Sequence, residues 1–147
     1  MSTPADTTCL TVQHLRDIGG VLRQANLRPT RQRMALADLL FSKGNRHVSA
    51  EDLHAEALQT NVQVSLATIY NTLHQFTQAG LLRAVSVDSA KTYFDTNVTE
   101  HHHLFIEGEN RVVDIPASSV EISELPAIPD NMEISRVDVV VRVRPKS

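Results

Sequence analysis

The 147 residues include 14 Lys/Arg and 17 Asp/Glu, for a net charge of −3, and are 41% hydrophobic, enough for one domain or two small ones. No apolar run reaches the ~18 residues that a bilayer span needs, and the single cysteine, Cys9, excludes an internal disulfide or a multi-thiolate zinc site. The charge is uneven: residues 1–85 carry eight basic and six acidic side chains, residues 86–147 six and eleven, so the first part is the one suited to a polyanion.

The N-terminus MSTPADTTCL has no basic segment followed by an apolar one, so the expected location is the cytoplasm, with no membrane partner. VQHLRDIGGVLRQA then puts Val12, Leu15, Ile18, Leu22 and Ala25 on one helical face. In RPTRQRMALADLLFSKGN, Thr30 is the N-cap, Met34, Ala37, Leu40 and Phe41 form the apolar face, and Gly44 ends the helix. Ser49 and Asp52 have capping-box spacing at the start of a third helix. A fourth begins at Ser65, buries Leu66, Ile69, Leu73 and Phe76, and ends at Gly80. The third and fourth are joined by a short turn, as in a helix-turn-helix. Two β-rich runs around DSAK follow as a hairpin, and helices followed by such a hairpin make a winged helix. After TNVTE, HHHLFIEGENRVVDI reads as a second hairpin, SSVEISEL as a short helix, and MEISRVDVVVRVRP as a long strand with Val137, Val139, Val141 and Val143 on one face. So small a unit gains from a symmetric dimer that covers this strand. The fold class is therefore α+β: an N-terminal winged-helix domain over 1–96, then a small α/β domain over 97–147.

Between Glu56 and Asp88 there is no carboxylate. The outward positions of the fourth helix are Ala67, Thr68, Asn71, Thr72, His74, Gln75 and Gln78, with Tyr70 at the boundary. A solvated helix usually mixes both charge signs. Amides, hydroxyls and methyls without acids suit base edges, and Arg28, Arg31, Arg33 and Arg83 suit phosphates. Ser65, as the cap, joins Ala67, Thr68, Tyr70, Asn71 and Gln75 in the expected contact set.

Three adjacent histidines stand at 101–103. On a strand, His101 and His103 share one face and His102 takes the other. Two imidazoles need one or two further ligands, and Asp95 and His47 are candidates. Three nitrogens and a carboxylate suit Zn²⁺, Fe²⁺ or Mn²⁺. His102, with Glu100 or Glu121, offers a second metal site or an axial ligand for haem. His14, His54 and His74 read as ordinary side chains.

LRPTRQRMALADLL, HVSAEDLHAEA, VSLATIYNTLHQFTQAGLL, KTYFD and HHHLFIEGENRVVDIP together resemble the ferric uptake regulator family over nearly the whole chain. The resemblance implies a homodimeric transcription regulator binding a double-stranded operator, with His47, Asp95, His101 and His103 as regulatory metal ligands. It places Glu100, His102 and Glu121 near a second site. Where many members have Cys-x-x-Cys, this chain has Ile106 and Glu109, and Cys9 is followed by Leu10 rather than Pro. The departures resemble the haem-switched iron response branch, in which a haem-delivering enzyme is a further partner. In this expectation a divalent ion holds the DNA-competent shape and haem at His102 disrupts it. A manganese- or zinc-responsive regulator of uptake genes is the alternative within the family. Outside it, a metal buffer leaves the acid-free helix unexplained, a winged-helix protein-contact module leaves the histidines unexplained, and a metal hydrolase lacks His-Glu-x-x-His and a nucleophile constellation.

Overall fold

A computed structural model of the protein describes residues 17–87 and 91–147. Val12 and Leu15 of the first expected helix, Cys9, His14 and the Asp88–Ala90 part of the wing turn lie outside those residues. The chain divides into two compact units, one ending at Val98 and the other starting at Thr99.

In the first unit, α1 (Ile18–Gln24) has its N-terminus set by Asp17, whose carboxylate accepts the Gly20 N–H at 2.9 Å. A Cβ on residue 20 would stand 2.1 Å from that carboxylate, so the glycine makes the cap possible. Helix α2 (Arg31–Phe41) is capped by the Thr30 hydroxyl and buries Leu36, Ala37, Leu39 and Leu40. Met34, expected on that apolar face, is instead 40% exposed. At about 100° per residue it falls outside the buried stripe. Strand β1 (His47–Val48) leads into α3 (Ala50–Gln59), where the Ser49 hydroxyl accepts the Asp52 N–H and the Asp52 carboxylate accepts the Ser49 N–H. The turn to α4 is closed by a Val62 N–H to Ala57 carbonyl bond and by Asn61 at φ 60°. Helix α4 (Leu66–Gln78) is capped by Ser65, and Gly80, at φ 83°, turns the chain out of it.

Strands β2 (Arg83–Ser86) and β3 (Thr92–Asp95) complete an antiparallel sheet of order β1-β3-β2. Leu22, Leu36, Leu40, Leu53, Ile69, Leu73, Phe76 and Phe94 close one core between helices and sheet. Full burial of each such side chain is worth roughly 1.5–3 kcal/mol. This is a winged helix with α3 and α4 as the helix-turn-helix pair.

The second unit is thinner. β4 (His101–Ile106) pairs antiparallel with β5 (Arg111–Pro116) through a turn in which Gly108 and Asn110 take positive φ. β6 (Val140–Val143) adds to the other edge of β4, parallel to it. The expected helix in SSVEISEL is absent; a single 3₁₀ turn covers Ala117–Ser119, and the exposed segment after it carries no helix or strand before β6. The long strand expected from Met132 to Pro145 is paired only over Val140–Val143, with Val141 exposed. Alternation fixes which face a side chain takes, but pairing extends only where a neighbouring strand runs alongside.

Candidate metal ligands and nucleic-acid face

In the first unit, His47 on β1 stands directly across from Asp95 on β3. Arg46 and Thr96 extend the pairing through a Thr96 N–H to Arg46 carbonyl bond, and the Thr96 hydroxyl accepts the Arg46 N–H. His47 Nε2 lies 3.2 Å from Asp95 Oδ2. The other Asp95 oxygen accepts the Asn97 N–H at 2.9 Å, which fixes the carboxylate plane. Asp95 is fully buried.

In the second unit, His101 and His103 lie on one face of β4 with ring centroids 4.6 Å apart. Asp114 on β5 stands opposite His103 in the register. Its Oδ1 is 3.2 Å from His101 Nε2 and 3.8 Å from His103 Nε2. His103 is 1% exposed. These three side chains each offer a ligand atom, all within 4.8 Å of one another. His101 Nδ1 lies 2.6 Å from the Thr99 carbonyl, a contact in which the ring nitrogen is the donor. The ring then turns its Nε2 toward a carboxylate oxygen, an arrangement that a proton or a metal cation between the two stabilises. The donor set thus fits a divalent ion of the Zn²⁺, Fe²⁺ or Mn²⁺ kind. Sequence reading did not include Asp114. The signal was there: a hairpin turning at Glu107–Asn110 puts residue 114 across from residue 103.

His102, on the other face, is 8% exposed, and its Nδ1 accepts the Val139 N–H at 3.2 Å. Glu100 and Glu121 are exposed. A porphyrin at this site needs a ring nitrogen directed into open volume of several hundred Å³, whereas the His102 side chain is buried. His74 packs edge-on against Phe94.

On α4, Ala67, Tyr70, Asn71, His74 and Gln78 are exposed, as is the cap Ser65, and Thr68 and Gln75 are half-buried. Thr72, expected to face outward, is buried with Ile69, Leu73 and Phe76. A carboxylate-free groove of about 400 Å³ runs between the start of α2 and this face, lined by Arg28, Thr30, Arg33, Thr68, Asn71 and Gln75, among others. Arg28 and Arg31 are exposed. Arg33 donates to the Arg28 carbonyl at 2.9 Å and to Gln75 Oε1 at 3.0 Å, bracing α2 against α4 while lining the groove. Arg83, expected at phosphates, is 5% exposed in β2, so its guanidinium is not presented to a duplex. Glu51 was missed altogether: it accepts a hydrogen bond from the Tyr70 hydroxyl at 2.8 Å.

The profile of the ferric uptake regulator family matches residues 24–142. The chain belongs to this family. The regulator is 32% identical to the ferric uptake regulation protein of Bordetella parapertussis over 111 residues, 75% of this chain and 80% of that protein. It is 31% identical to that of Escherichia coli K12 over 108 residues, 73% of each chain. Among solved structures, the ferric uptake regulator from Pseudomonas aeruginosa with manganese superposes with a TM-score of 0.69 at 27% identity, over 88% of this chain and 98% of that one. The Vibrio cholerae regulator, at 20% identity and a TM-score of 0.70, supports the fold alone. The regulator is therefore a DNA-binding, metal-responsive transcription regulator and not an enzyme. That removes the buffer and hydrolase readings. Among the described residues no helix is long and apolar enough to cross a membrane.

Proposed function

We propose that the regulator works as a homodimer on duplex DNA and that both units of each chain ligate the same divalent ion. In this reading His101, His103 and Asp114 form the primary receiving set, and His47 and Asp95 complete it from the DNA-binding unit. The observation that carries it is the division of ligands: each unit holds its own histidine–carboxylate pairing, and neither set is a full shell. Shifting a two-state arrangement from 1:99 to 99:1 takes about 5.5 kcal/mol, and zinc-class sites supply ~10–16 kcal/mol. Loading therefore suffices to set how the paired reading heads stand on major grooves ~34 Å apart. The P. aeruginosa relative's manganese and the iron regulators among the relatives support Fe²⁺ or Mn²⁺, and the acid-free face of α4 supports base reading by Ser65, Ala67, Thr68, Tyr70, Asn71 and Gln75. Arg28, Arg31 and Arg33 take the phosphates. Exposed Ile122, Leu125, Met132, Ile134 and Val141 in the second unit support dimerisation through it.

The test is gel-shift on genomic fragments, with and without chelator, alongside metal titration of His103→Ala and His47→Ala. Chelation should weaken operator binding at least about tenfold. His103→Ala should lower metal affinity on the order of 100-fold, whereas His47→Ala should keep most of the affinity and lose the response of DNA binding. A His47→Ala protein whose DNA binding still follows metal would sink the proposal.

Haem control of iron genes is the finer reading, favoured by three adjacent imidazoles and the missing Cys-x-x-Cys. Ligation at His102 competes with the hydrogen bond its Nδ1 accepts from the Val139 N–H, next to β6. Haem titration of wild type and His102→Ala, followed by absorption and by operator affinity, decides it; unchanged affinity at saturating haem removes haem from the function.

A further inference from the structure

The stretch from Ala57 to Val87 contains no carboxylate, yet one is held against its exposed face. Glu51, in the first turn of α3, accepts the Tyr70 hydroxyl at 2.8 Å. Tyr70 is 38% exposed on α4, one residue before Asn71. A side chain that free has several rotamers of similar energy, and one hydrogen bond across 19 residues of sequence selects among them. The bond also has a fixed direction. The Tyr70 hydrogen bond, with Lys91's charge adding, holds the Glu51 carboxyl below its ordinary value of 4.5, and the carboxylate in turn pushes the Tyr70 phenol above 10.0. At neutral pH the phenol is therefore the donor and the carboxylate the acceptor.

A negative charge beside a phosphate-facing surface weakens attraction to any duplex. Its effect on affinity is unfavourable; its effect on geometry is to commit the hydroxyl to α3 while the residue stays partly exposed on α4. We propose that Glu51 is a positioning residue for DNA recognition, holding the Tyr70 ring in one orientation on the outer face of α4 so that the ring, not the hydroxyl, meets the duplex. This rests on the reading of α4 as the base-contacting helix. The gain is in discrimination between sequences, because the charge acts on every duplex alike and the ring's placement only on those it fits.

The experiment compares affinity for the tightest duplex selected by wild-type protein from a random pool with affinity for poly(dI-dC), both in excess Mn²⁺, for full-length Glu51→Ala, Glu51→Gln, Tyr70→Phe, the Glu51→Ala/Tyr70→Phe double variant and Asn71→Ala. Glu51→Ala should bind poly(dI-dC) more tightly and lose about fivefold in the selected-to-nonspecific ratio. Glu51→Gln, which keeps an acceptor without the charge, should hold the ratio within about twofold of wild type. Tyr70→Phe should match Glu51→Ala, and the double variant should be no worse than either, since both remove one bond. A Glu51→Ala ratio equal to wild type, or losses that multiply in the double variant, overturns the proposal. Asn71→Ala separates the two levels: it should lower the ratio about tenfold. If it does while Glu51→Ala does not, only the positioning role fails. If Asn71→Ala also leaves the ratio unchanged, α4 is not the reading helix and the role of Glu51 falls with it.

Discussion

The two units differ in what fills their interiors. The first closes a core of leucines and phenylalanines between helices and a sheet, and among the described residues each of its four helices carries its own side-chain cap. In the second, among the described residues, the buried apolar side chains are Phe105 and Val112, and three histidines are buried with them. A small sheet with so little apolar burial is marginal alone. The lesson is a difference in what each unit can bury: the winged helix encloses an apolar core of its own, whereas the histidine-bearing unit would gain most from something added, a second copy or an ion. That gain suits a sensor.

The sharpest way to break this comparison is to open the first core. Phe76→Ala removes a fully buried ring and should cost about 3–5 kcal/mol in urea unfolding of the first unit. If it costs under ~1 kcal/mol, the claim that this unit encloses a core of its own is wrong. Next, Val141→Glu puts a charge on an exposed edge-strand position and should weaken self-association by roughly 10–100-fold in sedimentation, with the helical circular dichroism of the first unit unchanged. Wild-type association in this variant would place the interface elsewhere.

A smaller effect concerns acid. Burial pushes the Glu56 carboxyl up, but hydrogen bonds from Arg46 and Lys43 outweigh it and leave its pKa below 4.5. A folded value below the unfolded one means stability present above about pH 4.5 and lost as pH falls through the folded value. Arg46→Gln should therefore lower stability at neutral pH by about 1–2 kcal/mol and flatten the acid-side decline. A decline as steep as wild type in urea melts would show that other carboxylates govern it. The smallest is Ser49→Ala, which removes one arm of the capping box and should cost about 1 kcal/mol. Thermal melts of this variant calibrate how much of the first unit's stability is local.

Much of the architecture was legible because it is local. Thr30, Ser49 and Ser65 cap helices with N–H groups three residues away, so the pattern and the bond lie within one turn. His101 and His103 share a face because strand side chains alternate, a rule that needs no partner strand. Met34 and Thr72 were misread where an apolar stripe had to be centred: a single residue of rotation exchanges inside for outside.

By itself, the sequence determined the winged-helix order, the caps, the acid-free face of α4 and the parity of the histidines, all consequences of backbone geometry within a few residues. Only the tertiary structure decided that Asp114 joins His101 and His103, that Arg83 lies buried rather than at the surface, that β6 runs parallel to β4, and that Glu51 reaches Tyr70. Those outcomes turn on which distant segments become neighbours. That choice is made by the summed burial of the whole chain, and no short window of residues carries it.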